Sequence, residues 1–115
     1  MPIVGDNEDG FSVETEVGGE VRVGCWGFWS VETAAAFEPT VCRACGSRRG
    51  VSVVFDMTRL KPMRDQGQAA FGRVMARLSS LGVAGASVVT VSQVTKLQLL
   101  RLVREHAAPG LVQFI

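Results

Sequence analysis

The stretch from Val51 to Leu81 constrains the fold more than any other part of the chain. It opens with Val-Ser-Val-Val-Phe-Asp-Met, a short run rich in β-branched and apolar residues, the pattern of a strand buried on both faces. It closes with Ala70, Phe71, Val74, Met75, Leu78 and Leu81, spaced at the three- and four-residue intervals of an amphipathic helix. Between them lies a polar loop, Asp56 to Gly67, with one proline and one glycine in it. A buried strand, a loop and a helix in this order form the repeating unit of an α/β sheet. In such sheets the loop at the carboxyl end of a strand is where ligands and partners meet the protein.

The rest of the chain extends the same pattern. Phe11, Val13, Thr15 and Val17 alternate with Ser12, Glu14 and Glu16, as in a half-exposed strand at the edge of a sheet. Gly18-Gly19 is a two-residue hairpin signal, and Glu20 to Phe28 is the return strand. Ser30 is placed to cap a helix carrying Val31, Ala34, Ala35, Phe37, Val41 and Cys45, which ends near Gly46. Pro39 lies inside it and predicts a bend, a break or two short helices. Val83 to Val91 is a second buried strand. Ser92 caps a further helix whose apolar side reads as Val94, Leu97 and Leu100, with Leu99 or Val103. Leu111 to Ile115 is a short final strand. The expected fold class is therefore α/β: a single domain, 11–115, in the order β-β-α-β-α-β-α-β. Its sheet is mixed, mostly parallel and five-stranded, with an antiparallel edge strand. Residues 1–10 lack periodicity and read as a flexible tail.

At 115 residues, 47% of them apolar, the chain is long enough for one real core. It has no apolar run of membrane-spanning length and no basic-then-apolar leader pattern, so the expectation is a cytoplasmic protein with no membrane span. The net charge of +1 conceals an asymmetry. Six acids and no base fall between Asp6 and Glu20, whereas eleven bases and two acids, Asp56 and Asp65, fall between Val41 and Arg104. The basic part reads either as a solvated helix surface or as a face for an acidic partner. No aromatics are interleaved with its arginines, which argues against nucleic acid.

The inventory for catalysis is small. His106, the one histidine, stands near a helix end, where a positive charge complements the dipole. No phosphate-binding glycine motif and no nucleophile elbow occur. Asp56 and Asp65 read as two acids on one loop face, an acid pair with nothing to supply a substrate site. Cys42 and Cys45 form a C-x-x-C late in a helix, the wrong end for stabilising a thiolate. Cys25, Cys42, Cys45 and His106 would make a zinc set only if distant segments met. Binding, with no metal or cofactor, is the expectation. Trp26 and Trp29 flank the end of the second strand and read either as core or as the lining of an apolar pocket for a small ligand, a lipid or a nucleotide.

The element order, together with Phe55-Asp56-Met57-Thr58 at the end of the central strand, resembles the anti-sigma-factor antagonist family, the STAS domain. The resemblance covers Phe11 to Ile115 and points to a divergent branch, similar to small bacterial proteins of that fold. The family continues from Asp-(apolar)-Ser/Thr to Asp-Ser-x-Gly at the start of the next helix. Here Arg64-Asp65-Gln66-Gly67 falls on that motif: Gly67 matches, Asp65 stands where the phosphorylatable serine does, and Arg64 replaces the aspartate. The resemblance implies a regulatory module in signal transduction that is not an enzyme and binds a protein, such as a kinase, without the usual switch. A serine gains about −1.5 to −2 charge on phosphorylation, whereas Asp65 carries a single permanent charge. Asp65 reads equally as the cap of the helix that begins at Gln66. The implied partner surface is Asp56, Thr58, Lys61, Arg64, Asp65, Gly67, Gln68 and Arg73. A second copy of the chain, pairing through the edge strand Phe11–Val17, is the remaining candidate partner.

Overall fold

The computed structural model describes residues 3–115. It is an α/β domain of two layers, with a six-stranded mixed sheet on one side and three helices on the other. Strands β1 (Ile3–Gly5), β2 (Asp9–Thr15), β3 (Glu20–Gly27), β4 (Ser52–Leu60), β5 (Gly85–Val89) and β6 (Val112–Phe114) lie in sequence order across the sheet. The pairs β1–β2 and β2–β3 are antiparallel, and β3 through β6 run parallel. Helices α1 (Val31–Cys45), α2 (Asp65–Arg77) and α3 (Gln93–His106) fill the three crossovers. Consecutive right-handed crossovers between adjacent strands place every helix on the same face, so α1 packs on α2 and α2 on α3.

Local chemistry sets the element ends. Gly18 and Gly19 have φ of +105° and +89°, both in the region that a tight hairpin between right-twisted strands demands. Ser30 and Ser92 cap α1 and α3, accepting from the Thr33 and Thr95 backbone N–H groups at 3.2 and 3.3 Å. The core lies between the layers. Phe11, Phe37, Phe55 and Phe71 are fully buried, and their rings touch one another and Trp29 at centroid distances of 4.8–6.4 Å.

The structure corrects several of these expectations. The sheet has six strands, not five, because Ile3–Gly5 pairs with Gly10–Ser12. The stretch expected to be a tail therefore holds a strand, a turn and the start of β2; Met1 and Pro2 lie outside the described residues. For the same reason Phe11–Val17 is not a free edge along its whole length, since β1 pairs with Phe11 and Ser12. Pro39 does not break α1, which runs as one helix from Val31 to Cys45. Phe37 and Val41, both fully buried, dock the helix on either side of it. Pro39 and Ala35 are exposed, so the Ala35 carbonyl that loses its N–H partner is open to solvent. Finally, α3 buries Thr95, Leu99, Leu102 and Val103. Val94 and Leu97, expected on its inner face, point outward.

Asp9 joins the sheet to the first helix. Its carboxylate accepts from the Ser30 backbone N–H at 2.9 Å and from the Thr33 hydroxyl at 2.7 Å. These bonds, the Ser30 backbone bond foremost, hold its pKa below the ordinary aspartate value of 3.8 against the opposing effect of burial. A depressed folded-state pKa means that the stabilisation is fully present above the unfolded value and is lost as pH falls through the folded one. Asp9→Ala should therefore cost about 1 kcal/mol at neutral pH, typical of a lost cap. Thermal melts should show the gap to wild type closing only below about pH 4; a gap unchanged at pH 2 would refute the role.

Candidate functional site

The three βα connections at the carboxyl end of the parallel strands lie side by side, and the central one is held rigidly. The loop between β4 and α2 is only residues 61–64 long. The Gln98 side-chain amide on α3 grips Met63 twice, accepting from its N–H at 2.7 Å and donating to its carbonyl at 2.9 Å. The Gln68 amide on α2 donates to the same carbonyl at 3.0 Å, and Arg101 holds the other end of the Gln68 amide. The buried Thr95 hydroxyl donates to the Leu60 carbonyl at 3.2 Å. The Lys61 N–H donates to the Gly27 carbonyl at 3.1 Å, fastening the loop to the end of β3. Gly67 is buried at the start of α2, where an added Cβ would sit 3.0 Å from the Met63 Cβ. The loop is thus ordered before any partner arrives, and a preordered surface loses less entropy on binding.

Apolar side chains surround this loop in the open. Among the described residues eight large hydrophobics are exposed, and five of them stand at this end: Phe28, Val31, Val91, Val94 and Leu97, from 47% exposed at Phe28 to 75% at Val91. The Arg64 guanidinium lies over the Phe28 ring at 4.8 Å. Val94 and Leu97, three residues apart, form one stripe on the first turns of α3, and Val91 stands just before its Ser92 cap. A shallow groove of about 190 Å³ between α1 and α2 continues the surface, lined by Val31, Ala34, Ala35, Gln66, Ala69 and Arg73. Arg73 is committed to an ion pair with Glu38 at 2.8 Å, which Arg77 shares at 3.6 Å. Lys61, Arg64 and Asp65 are exposed at the rim.

The structure brings together Lys61, Arg64, Asp65, Gly67, Gln68 and Arg73 around one loop and helix start. It does not bring Asp56 and Thr58 there. β4 continues past Asp56 to Leu60 by way of a bulge, in which Gly24 pairs with Asp56 but Trp26 with Arg59. Asp56 therefore stands within the strand, on the face away from the helices. The Thr58 hydroxyl and N–H donate to its carboxylate at 2.7 and 3.1 Å, an Asx-type contact that suits the extra bulge residue. The Thr58 hydroxyl bond leads in holding the Asp56 pKa below its ordinary value, with Arg22 and Arg59 adding to it. Asp56 and Asp65 thus belong to different elements and form no acid pair. Asp65 is also not the cap of α2. Arg64 occupies that position with no side-chain bond, and Asp65 is the first helical residue, where its charge complements the helix dipole.

Trp26 and Trp29 do not line one pocket. Trp29 is buried against Phe11 and Phe37, its indole N–H donating to the Gly10 carbonyl at 3.1 Å. Trp26 lies on the opposite face of the sheet, its N–H on the Asp6 carbonyl at 2.7 Å and Arg59 over its ring at 5.3 Å. The three cysteines are buried and unbridged. Burial pushes the Cys45 thiol up to about 12 and raises Cys25 and Cys42 as well, which suits inert core residues. No group of three or more His, Cys, Asp or Glu side chains among the described residues is placed to hold a metal. The His106 ring packs over Gly72, where an added Cβ would come within 2.8 Å of it. No helix among the described residues is long and apolar enough to cross a membrane.

Sequence reasoning missed Gln98, Thr95, Phe28, Val91 and the Val94–Leu97 stripe. The stripe had a signal: α3 carries two apolar series, 94/97 and 99/102/103, and only one of them can face the core. Gln98 had none, since a polar residue beside a helix core shows its bonds only in three dimensions. No known protein-family model matches the chain, and no curated protein matches it.

Proposed function

We propose that the protein is a non-enzymatic regulatory module of the anti-sigma-factor-antagonist type. It binds a protein partner through the carboxyl-end surface formed by the 61–64 loop, the start of α2 and the outer stripe of α3. The observation that carries this reading is the gathering of five exposed apolar side chains around a loop already fixed by Gln98, Gln68 and Thr95. Exposed apolar groups in one place mark an interaction surface. With Asp65 at the first position of α2 the surface carries a permanent charge where a phosphorylatable serine would give a switch, so binding is constitutive with respect to that modification.

The reading is tested by capturing partners from the source cell with tagged wild type, Asp65→Arg, Leu97→Asp and, as a control, Arg43→Ala at the far end of α1. All three positions are exposed, so the variants should keep the wild-type circular dichroism. Loss of the same partner from Asp65→Arg and Leu97→Asp, with retention by Arg43→Ala, is the expected pattern. Each loss should correspond to about 2 kcal/mol, as for a central interface residue. An identical partner list for all four proteins, or no specific partner for wild type, would defeat it.

A further inference from the structure

Among the described residues no element packs on the face of the sheet opposite the helices. All-parallel sheets occur almost only with both faces covered; this sheet is mixed, and its parallel strands β3 to β6 are covered on one face. The register gives the rows of the bare face. One row runs Ile3, Ser12, Gly24, Asp56, Val89; the next runs Glu14, Arg22, Val54, Ser87, Gln113. Trp26 beside Arg59 lies beyond the first row, and Glu20, Ser52 and Gly85 beyond the second. Small side chains (Ser12, Gly24, Ser52, Gly85 and Ser87) run through the middle of the face beside Val54 and Val89, with a dimple bordered by Ser12, Glu14, Arg22, Gly24 and Asp56.

We infer that this face packs against the same face of a second copy of the chain. The charges select that occupant. Acids Glu14, Glu20 and Asp56 alternate with Arg22 and Arg59, so a partner of one sign, such as nucleic acid or an anionic membrane, would leave part of the face unmatched. A two-fold contact requires a patch complementary to itself, and a patch with both signs side by side around small residues and Val54 and Val89 meets that requirement. The size is adequate. The six strands hold 35 residues, which at a rise of about 3.3 Å and a spacing of about 4.8 Å project to roughly 550 Å². Counted on both copies that is about 1,100 Å², at the low end of specific interfaces, as suits a weak, concentration-dependent dimer. The surface is distinct from the carboxyl-end surface, so a dimer leaves that surface free, and the two readings stand or fall separately.

Light scattering coupled to size exclusion, run from micromolar to hundreds of micromolar protein, tests it. Wild type should reach twice the chain mass. Ser87→Arg and Val54→Lys, which put a long charged side chain on the bare face, should weaken dimerisation by at least about tenfold, as for central interface positions. Leu97→Asp, at the carboxyl-end surface, should leave the dimer intact. Ser87 and Val54 are half-buried, so folding of each variant is checked by circular dichroism; if one fails to fold, the other decides. A wild type monomeric at every concentration, or a dimer untouched by a folded variant, overturns the inference.

Discussion

Phe37→Ala should lose about 3–5 kcal/mol of stability, in the range for deleting a buried aromatic ring. Against the 5–15 kcal/mol that a domain of this kind commonly has, that is a large fraction. Phe37 is fully buried in α1, and its ring is the hub of the aromatic core: edge-on to Phe11 at 5.2 Å, against Trp29 at 4.8 Å and stacked near Phe71 at 6.4 Å. Those three belong to β2, the β3–α1 loop and α2. Removing the ring therefore leaves a cavity where two helices and the sheet converge. Urea denaturation with tryptophan fluorescence reads the change, because Trp29 lines the cavity. A loss below about 1 kcal/mol, the typical value for an arbitrary substitution, would show that α1 is held by other contacts.

Gly27→Ala should cost roughly 3 kcal/mol or more, although it adds a single methyl group. Gly27 has a φ of +76°, which costs a non-glycine residue about 1–2 kcal/mol. The added Cβ would also lie 1.9 Å from the Glu8 carbonyl oxygen and 2.8 Å from the Asp9 Cα. Both are backbone, so the end of the β2–β3 ladder must shift. That shift reaches the candidate site by two routes: Asp9 carries the Ser30 and Thr33 bonds at the start of α1, and the Gly27 carbonyl receives the Lys61 N–H of the 61–64 loop. Gly18→Ala is the matched control, since φ there is +105° with nothing within 4 Å of the added Cβ. It should show the backbone cost alone. Amide chemical shifts of Ser30 and Lys61 should move in Gly27→Ala and stay in place in Gly18→Ala; equal melting temperatures for the two variants would refute the clash.

The legibility of this chain divides along physical lines. The helix and the central strand were readable because each depends on a pattern within its own segment. Their limits and surroundings were not: α2 stops at Arg77, not Leu81, and the strand expected to be buried on both faces is buried on one, with Asp56 exposed on the other. The Gly18-Gly19 turn and the serine caps were readable because each bonds a neighbour two or three residues away. Ile3–Gly5 was not readable: three residues show no period, and that strand exists only because β2 offers it an edge. Asp56 was read as loop because the bulge that carries β4 on to Leu60 is imposed by pairing with β3. Of the candidate site, Lys61 to Gln68 was legible as a loop leading into a helix. Its fixing by Gln98 was not, because α3 arrives from 35 residues further along the chain.

The sequence by itself determined the order and kind of the main elements, the α/β class and the place of the 61–64 loop at the end of the central strand. Hydrophobic period, capping and turn chemistry act within a few residues, so no tertiary information is needed for them. The tertiary structure alone decided which of two apolar stripes α3 turns inward, leaving Val94 and Leu97 exposed, and which face of the parallel strands stays bare. Both depend on what packs against an element, and the hand of three successive crossovers gathers all the helices on one side.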